Sequence, residues 1–167
     1  MFGIFIHRAD SIYDDSPAEK YQFPPQYLSR ARACVGDWIV YYEPTKVPNS
    51  RGYFAVARVQ EVRPDATNAE MYLAIMEPGS YLDFPHWVPF MGRDGITESG
   101  LLNANGKISG RAQAAVRGLS AADFGRIIGR GLDDIDWLLP RDQTDDLRAT
   151  NSTMCRRLLL VSMNERG

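Results

Sequence analysis

Hydrophobic residues fall into short runs along the first two thirds of the chain. The runs are rich in β-branched and aromatic side chains, and Gly, Pro, Asn or Asp punctuates their ends, the signature of β-strands. Residues 2–7, 37–42, 52–62 and 71–76 make four such runs. In the third, Phe54, Val56 and the aliphatic stem of Arg58 alternate with Tyr53, Ala55, Ala57 and Val59, so both faces are largely apolar. That pattern predicts a strand that lines a closed barrel on one face and touches a helix on the other.

Helical periodicity is confined to two places. Pro24-Pro25 ahead of residues 26–33 predicts a short helix with proline in its first turn. Ser120 with Asp123 three residues on forms a capping signal, and Phe124, Ile127 and Ile128 share one face before Gly129 and Gly131 end the helix. Gly92-Arg93-Asp94-Gly95 and Asn105-Gly106 read as turns. Together these elements predict an α+β fold, a small β-barrel with peripheral short helices, over residues 1–132. Residues 133–167 differ in character. Six acids and one base lie between 133 and 146, followed by Arg156-Arg157 and a Leu-rich run, which predicts an acidic linker and a C-terminal segment.

Composition narrows the class. With 167 residues, 44% hydrophobic and 24% charged, the chain has the make-up of a globular domain, not of a disordered, collagenous or coiled-coil protein. No apolar run approaches the roughly 18–20 residues of a membrane span, and the opening run is too short and lacks the basic leader of a secretory signal. No membrane partner is therefore expected. Cys34 and Cys155 are far apart and lack metal-ligand spacing, so the reducing cytoplasm is the expected compartment. A net charge of −2 argues against bulk coating of nucleic acid, but not against a pocket that reads one nucleotide. The balance is also locally uneven. Lys107, Arg111, Arg117, Arg126 and Arg130 face only Asp123 in their stretch, and the acidic stretch at 133–146 offsets them, which predicts a one-sided basic surface.

Candidate chemistry is sparse. His7 and His86 are the only histidines, and no metalloprotease, nucleophile-elbow or P-loop string occurs. No catalytic residue, metal or cofactor is expected; an enzymatic alternative would set His7 or His86 as general base beside Asp10 or Asp83. Rings are plentiful instead. Tyr13, Tyr21, Phe23 and Tyr27 crowd the first long connection, Trp38, Tyr41 and Tyr42 the second strand, and Tyr81, Phe84, Trp87 and Phe90 the segment after the fourth. Two readings stay open: the rings plug the core, or they cage a planar ligand whose edge bonds to Glu43, Asp83 or backbone. Stacking on such rings is worth roughly 1–3 kcal/mol per base, enough to hold a flipped nucleotide. Arg8, Arg30, Arg32 and Arg51, with Lys107 and Arg111 further on, are candidate contacts to the phosphate backbone.

Two sets of residues carry a family resemblance. Val35-Gly36-Asp37-Trp38 running to Tyr41-Tyr42, then Gly52-Tyr53-Phe54-Ala55 running to Val59, then Pro64-Asp65, resembles the EVE branch of the PUA-like superfamily. Tyr21-Gln22-Phe23-Pro24 with Tyr27-Leu28, followed by Gly36-Asp37-Trp38 and Tyr41-Tyr42-Glu43-Pro44, is similar to the PUA-like or SRA-like N-terminal domain of HNH-type restriction endonucleases. The resemblance runs from about residue 2 to 140. It implies a PUA-like (EVE-like) barrel whose mouth captures a modified base of DNA, of the 5-methylcytosine or 5-hydroxymethylcytosine type. Tyr41, Tyr42, Glu43, Gly52 and Tyr53 would line that pocket, and Tyr13, Tyr21, Phe23, Tyr81, Asp83 and Phe84 would close it. The family pattern would continue into a nuclease with His and Asn ligands, whereas no His follows His86. The resemblance therefore implies a reader without catalysis of its own, with cleavage left to a nuclease domain or protein in trans. RNA, or a methylated amine in the ring cage, is the alternative ligand.

Overall fold

The computed structural model describes residues 1–132; the expected linker and C-terminal segment lie outside the described residues. Nine strands and two α-helices form a mixed α+β fold dominated by one sheet. The strands are β1 Gly3–Ile6, β2 Lys20–Phe23, β3 Trp38–Glu43, β4 Gly52–Pro64, β5 Tyr72–Met76, β6 Leu82–Val88, β7 Met91–Gly92, β8 Gly95–Ile96 and β9 Val116–Gly118. The helices are α1 Leu28–Ala33 and α2 Ala121–Gly131.

The long strand β4 organises the sheet. Its first half pairs with β3 on one edge and β6 on the other, while its second half, Val59 onward, pairs with β5. The order is β2-β5-β4-β3-β1-β9, with β6 beside β4; β1 and β3 are parallel and the other pairs antiparallel. Register shifts at Val59/Glu61 and at Tyr41/Tyr42 mark bulges, which bend a strand and sharpen its twist.

The bend brings β2 round to face β1. The predicted closed barrel is not found among the described residues, because no ladder joins β2 to β9. Side chains span that gap instead. The Tyr21 hydroxyl donates to the Ile6 carbonyl at 2.8 Å and lies 3.4 Å from that of Ala115, and Arg30 of α1 donates to the Val116 carbonyl at 3.3 Å.

Period-two alternation sorts side chains into two cores. Inside the curl lie Phe5, Tyr21, Phe23, Ile39, Tyr41, Phe54 and Val59. Outside, under α2, lie Ile4, Val40, Tyr42, Tyr53, Val56 and Phe84 with Phe124, Ile127 and Ile128. Helix α2 starts where the sequence predicts: the Ser120 side chain accepts from the Asp123 amide at 3.1 Å. The Asp123 carboxylate turns away from the cap, accepting from the amides of Ser99 and Gly100 at 3.0 and 2.9 Å and from Arg126. Strands β2, β6 and β9 were not expected. They carry Gln22, Asp83, Pro85, His86 and Arg117, which break the hydrophobic alternation.

One charge pair is buried in this frame. Arg117 donates to Glu98 through Nε at 3.0 Å and through Nη2, and Tyr53 donates its hydroxyl to the same carboxylate at 2.7 Å. Both charged side chains are 2% exposed, and Arg117 Nη1 is satisfied by the carbonyls of Ala112 and Ala114. Burial, then Glu98, pushes the Tyr53 hydroxyl far above its ordinary range and keeps it a donor. The expected basic surface over 107–130 is correspondingly reduced: Arg117 is internal, Arg126 pairs with Asp123, and Arg130 reaches the Thr97 hydroxyl at 3.4 Å. Removing one partner strands the other charge in the core, so Glu98→Ala should lower stability by about 3–5 kcal/mol in urea unfolding. A double replacement of Glu98 and Arg117 by apolar residues of similar volume should recover much of that loss.

Candidate functional site

The ends of β1 and β3, the loop to β4 and the start of β6 adjoin at one end of the curl, here called its mouth. Pairing geometry determines which side chains gather there. Tyr41 pairs with Ala55 and Tyr42 with Tyr53, so Phe54 is the extra residue of a bulge. Strict alternation would put Phe54 and Ala55 on opposite faces, but both lie in the inner core. The bulge thus aims the Phe54 ring inward at the mouth, where it stacks on Tyr41 with centroids 5.9 Å apart.

Around that pair stand His7, from the end of β1, and Tyr81, from the approach to β6. The His7 ring lies 5.9 Å from Phe54 and 6.4 Å from Tyr41, and Tyr81 lies 6.3 Å from Tyr41. Above them Arg51 lays its guanidinium 3.7 Å from the Phe54 centroid, a stacked cation–π contact. Its backbone N–H donates to Glu43 Oε2 at 2.8 Å, and its Nε approaches the same oxygen at 3.3 Å. Three carboxylates border the rings. Glu43 holds Arg51, Asp83 accepts from the Tyr81 hydroxyl at 2.7 Å, and Asp15 accepts from the Gln22 amide at 2.8 Å.

Asp15 also sets a second oxygen 3.7 Å from His7 Nδ1, a buried nitrogen that makes no hydrogen bond among the described residues. Burial first, and then its bond to Asp83, pushes the Tyr81 hydroxyl well above its usual value, so it remains a donor. Burial does the same for Tyr41, whose hydroxyl donates to the Pro17 carbonyl at 2.9 Å and ties the loop over residues 8–19 to the sheet. This end of the curl therefore gathers rings, one cation held over a ring and several acceptor oxygens, with Phe54 and Tyr41 buried beneath. Beyond Arg51 it continues into a shallow groove of about 540 Å³ lined by Thr45, Ser50, Gly52, Trp87, Phe90 and Met91. Trp87 is 59% exposed there.

The expected ring cage is split by the sheet. Tyr21, Phe23 and Tyr41 are buried in the inner core, and Tyr42, Tyr53 and Phe84 in the outer one beneath α2, so these six rings present no open cage. Alternation along β3 and β4 sends neighbouring aromatics to opposite faces, which a count of rings by segment cannot register. Glu43, Gly52, Tyr81 and Asp83 do meet at the mouth. Tyr13 is exposed on the loop over residues 8–19. The Phe54, His7 and Asp15 contributions were missed, because a bulge and a long loop place them and no local motif encodes either. His7 neighbours Asp15 and not Asp10, which pairs with Arg8.

The basic residues are dispersed as well. Only Arg51 belongs to the mouth. Arg8 is tied to Asp10 at 2.9 Å, Arg32 and Lys107 are exposed elsewhere, and Arg30 and Arg111 border a separate groove. Among the described residues, no three His, Cys, Asp or Glu side chains converge as metal ligands would, and no helix is long and apolar enough to cross a membrane. Comparison of the chain with protein-family models, with curated proteins and with solved structures finds no match.

The mouth depends on Gly52. Its φ of +65° lies in the left-handed region, and a Cβ there would sit 2.3 Å from the Val88 carbonyl oxygen of β6. Gly106 has a similar φ of +72° with open space around it, which isolates the backbone term. Gly106→Ala should cost about 1–2 kcal/mol. Gly52→Ala should cost roughly 1–3 kcal/mol more, from overpacking against β6, when the two are compared by urea unfolding.

Proposed function

We propose that residues 1–132 form a PUA-like reader domain that binds a single modified base of the 5-methylcytosine type, flipped from duplex DNA, without catalysis. The observation that carries this reading is the Arg51 guanidinium carbon held 3.7 Å from the Phe54 ring centroid. A planar cation thus already covers the Phe54 ring at a stacking separation. A flipped base would take the same face, with Arg51 swung aside into the groove beside Trp87.

The polar border suits cytosine. Its exocyclic N4 amino group is a donor, and carboxylates are its natural acceptors. Asp83 is presented for that role by the Tyr81 hydroxyl, with Asp15 and Glu43 alongside. Stacking worth roughly 1–3 kcal/mol per base offsets much of the few kcal/mol needed to unstack and unpair it. A 5-methyl group buried against Phe54 would add about 0.8 kcal/mol, close to a fourfold preference over unmodified cytosine. Discrimination is therefore modest, and a nuclease acting on the mark would be supplied by a partner domain or protein.

Fluorescence anisotropy with matched modified and unmodified duplexes tests this. The wild type should favour the modified duplex about fourfold, Phe54→Leu should bring that ratio close to one, and Asp83→Ala, which removes the acceptor for the N4 group both bases share, should weaken both duplexes with the ratio kept. Equal wild-type affinity for both duplexes, or a Phe54→Leu variant that keeps the fourfold ratio, would overturn the pocket, because phosphate contacts carry no base information. An RNA strand carrying the same base, run in parallel, identifies the polymer.

A further inference from the structure

A second groove lies away from the mouth, and its chemistry is independent of whether the mouth takes a base. Strand β1 leads from Gly3, beside Gly118 of β9, to His7 at the mouth, four residues or about 13 Å along the strand. At the Gly3 end a groove of about 470 Å³ opens between α1, β9 and the start of α2. Met1, Arg30, Arg111, Arg117, Gly118 and Ser120 line it with Leu119, and no carboxylate is among the lining residues.

The charges of these groups differ in what neutralises them. Arg117 is cancelled by Glu98, and the Met1 ammonium donates to Asp37 at 2.7 Å and to the Ala33 carbonyl. Arg30 has only its 3.3 Å contact with the Val116 carbonyl and a position over the Tyr27 ring, 6.0 Å from its centroid. The Arg111 guanidinium has no hydrogen bond or ion pair among the described residues, and it projects from the 3-10 turn Gly110–Gln113. Two arginine forks, on separate elements, thus face one groove with their charge unspent.

The strand edge adds a backbone donor. Leu119 donates to Phe2 O at 2.9 Å and Ile6 to Ala115 O at 2.8 Å, so these pairs and Ile4/Arg117 are the hydrogen-bonded ones between β1 and β9. Gly118, opposite Gly3, falls between them and turns its N–H away from β1, toward the groove. We infer that this groove is a binding site for a phosphate group, clasped by the Arg30 and Arg111 guanidiniums with the Gly118 amide beneath. Guanidinium forks match tetrahedral oxyanions with paired N–H donors, and an edge N–H completes the set. The phosphate belongs either to a nucleic-acid backbone or to a small phosphorylated molecule, which share this chemistry.

Titration of the 15N-labelled protein with inorganic phosphate tests the site directly. The Gly118 amide and Arg111 Nε signals should move saturably in the wild type, and the Gly118 shift should fall at least tenfold in the Arg30→Gln/Arg111→Gln double variant. Both side chains are exposed, so the variant should keep the wild-type spectrum elsewhere. An unmodified duplex distinguishes the sources. If the ligand is backbone phosphate, the slope of log K against log salt should flatten by about 1–2 in the double variant. An unchanged slope with the phosphate shifts intact assigns the site to a small phosphorylated ligand. Absence of any Gly118 shift, or equal shifts in wild type and double variant, would overturn the site.

Discussion

Strand β4 has to serve both arms of one bent sheet at once, and the rest of the molecule follows from how it does so. Its first eight residues are buried on both faces, while its second half carries β5 away at an angle and is largely exposed. A regular strand cannot meet both demands without a local break in pairing. The break at Phe54 shifts the phase of alternation by one residue, and that shift supplies the mouth with its central ring. The break near Val59 bends the ribbon so that β2 returns to face β1. Core, curl and candidate site are thus consequences of one strand's geometry.

Charge is handled by the same economy of position. Buried ions are tolerated only when paired and fully bonded. Glu98 and Arg117 meet that condition, with Tyr53 and two carbonyls completing the set. Elsewhere the carboxylates Asp10, Glu77 and Asp123 neutralise Arg8, Arg58 and Arg126. Arg51 divides its charge between Glu43 and the Phe54 ring, and the exposed Arg111 has no ion pair among the described residues.

Much of the fold was legible in the sequence. The four apolar runs became β1, β3, β4 and β5, the proline-led segment became α1, and the Ser120 cap opened α2 as its hydroxyl requires. The strands that escaped notice are short or polar, and they are held by partners distant in sequence: Gln22 through Asp65, Arg117 through Glu98. The site was legible in part. Glu43, Gly52, Tyr81 and Asp83 lie near one another because they flank the same strand ends. Tyr42, Tyr53 and Phe84 do not join them, since the sheet's own alternation carries them to the opposite face. Phe54 was hidden for the converse reason, because a bulge is a property of pairing between strands and leaves no mark in one of them.

The central claim is that a base lies against Phe54 in the place Arg51 now occupies. A duplex carrying a single 13C-labelled 5-methylcytosine, bound to the protein, reports on this through methyl-selected nuclear Overhauser contacts. The account predicts contacts from that methyl to the ring protons of Phe54 and Tyr81. Contacts confined to neighbouring bases of the duplex would contradict it.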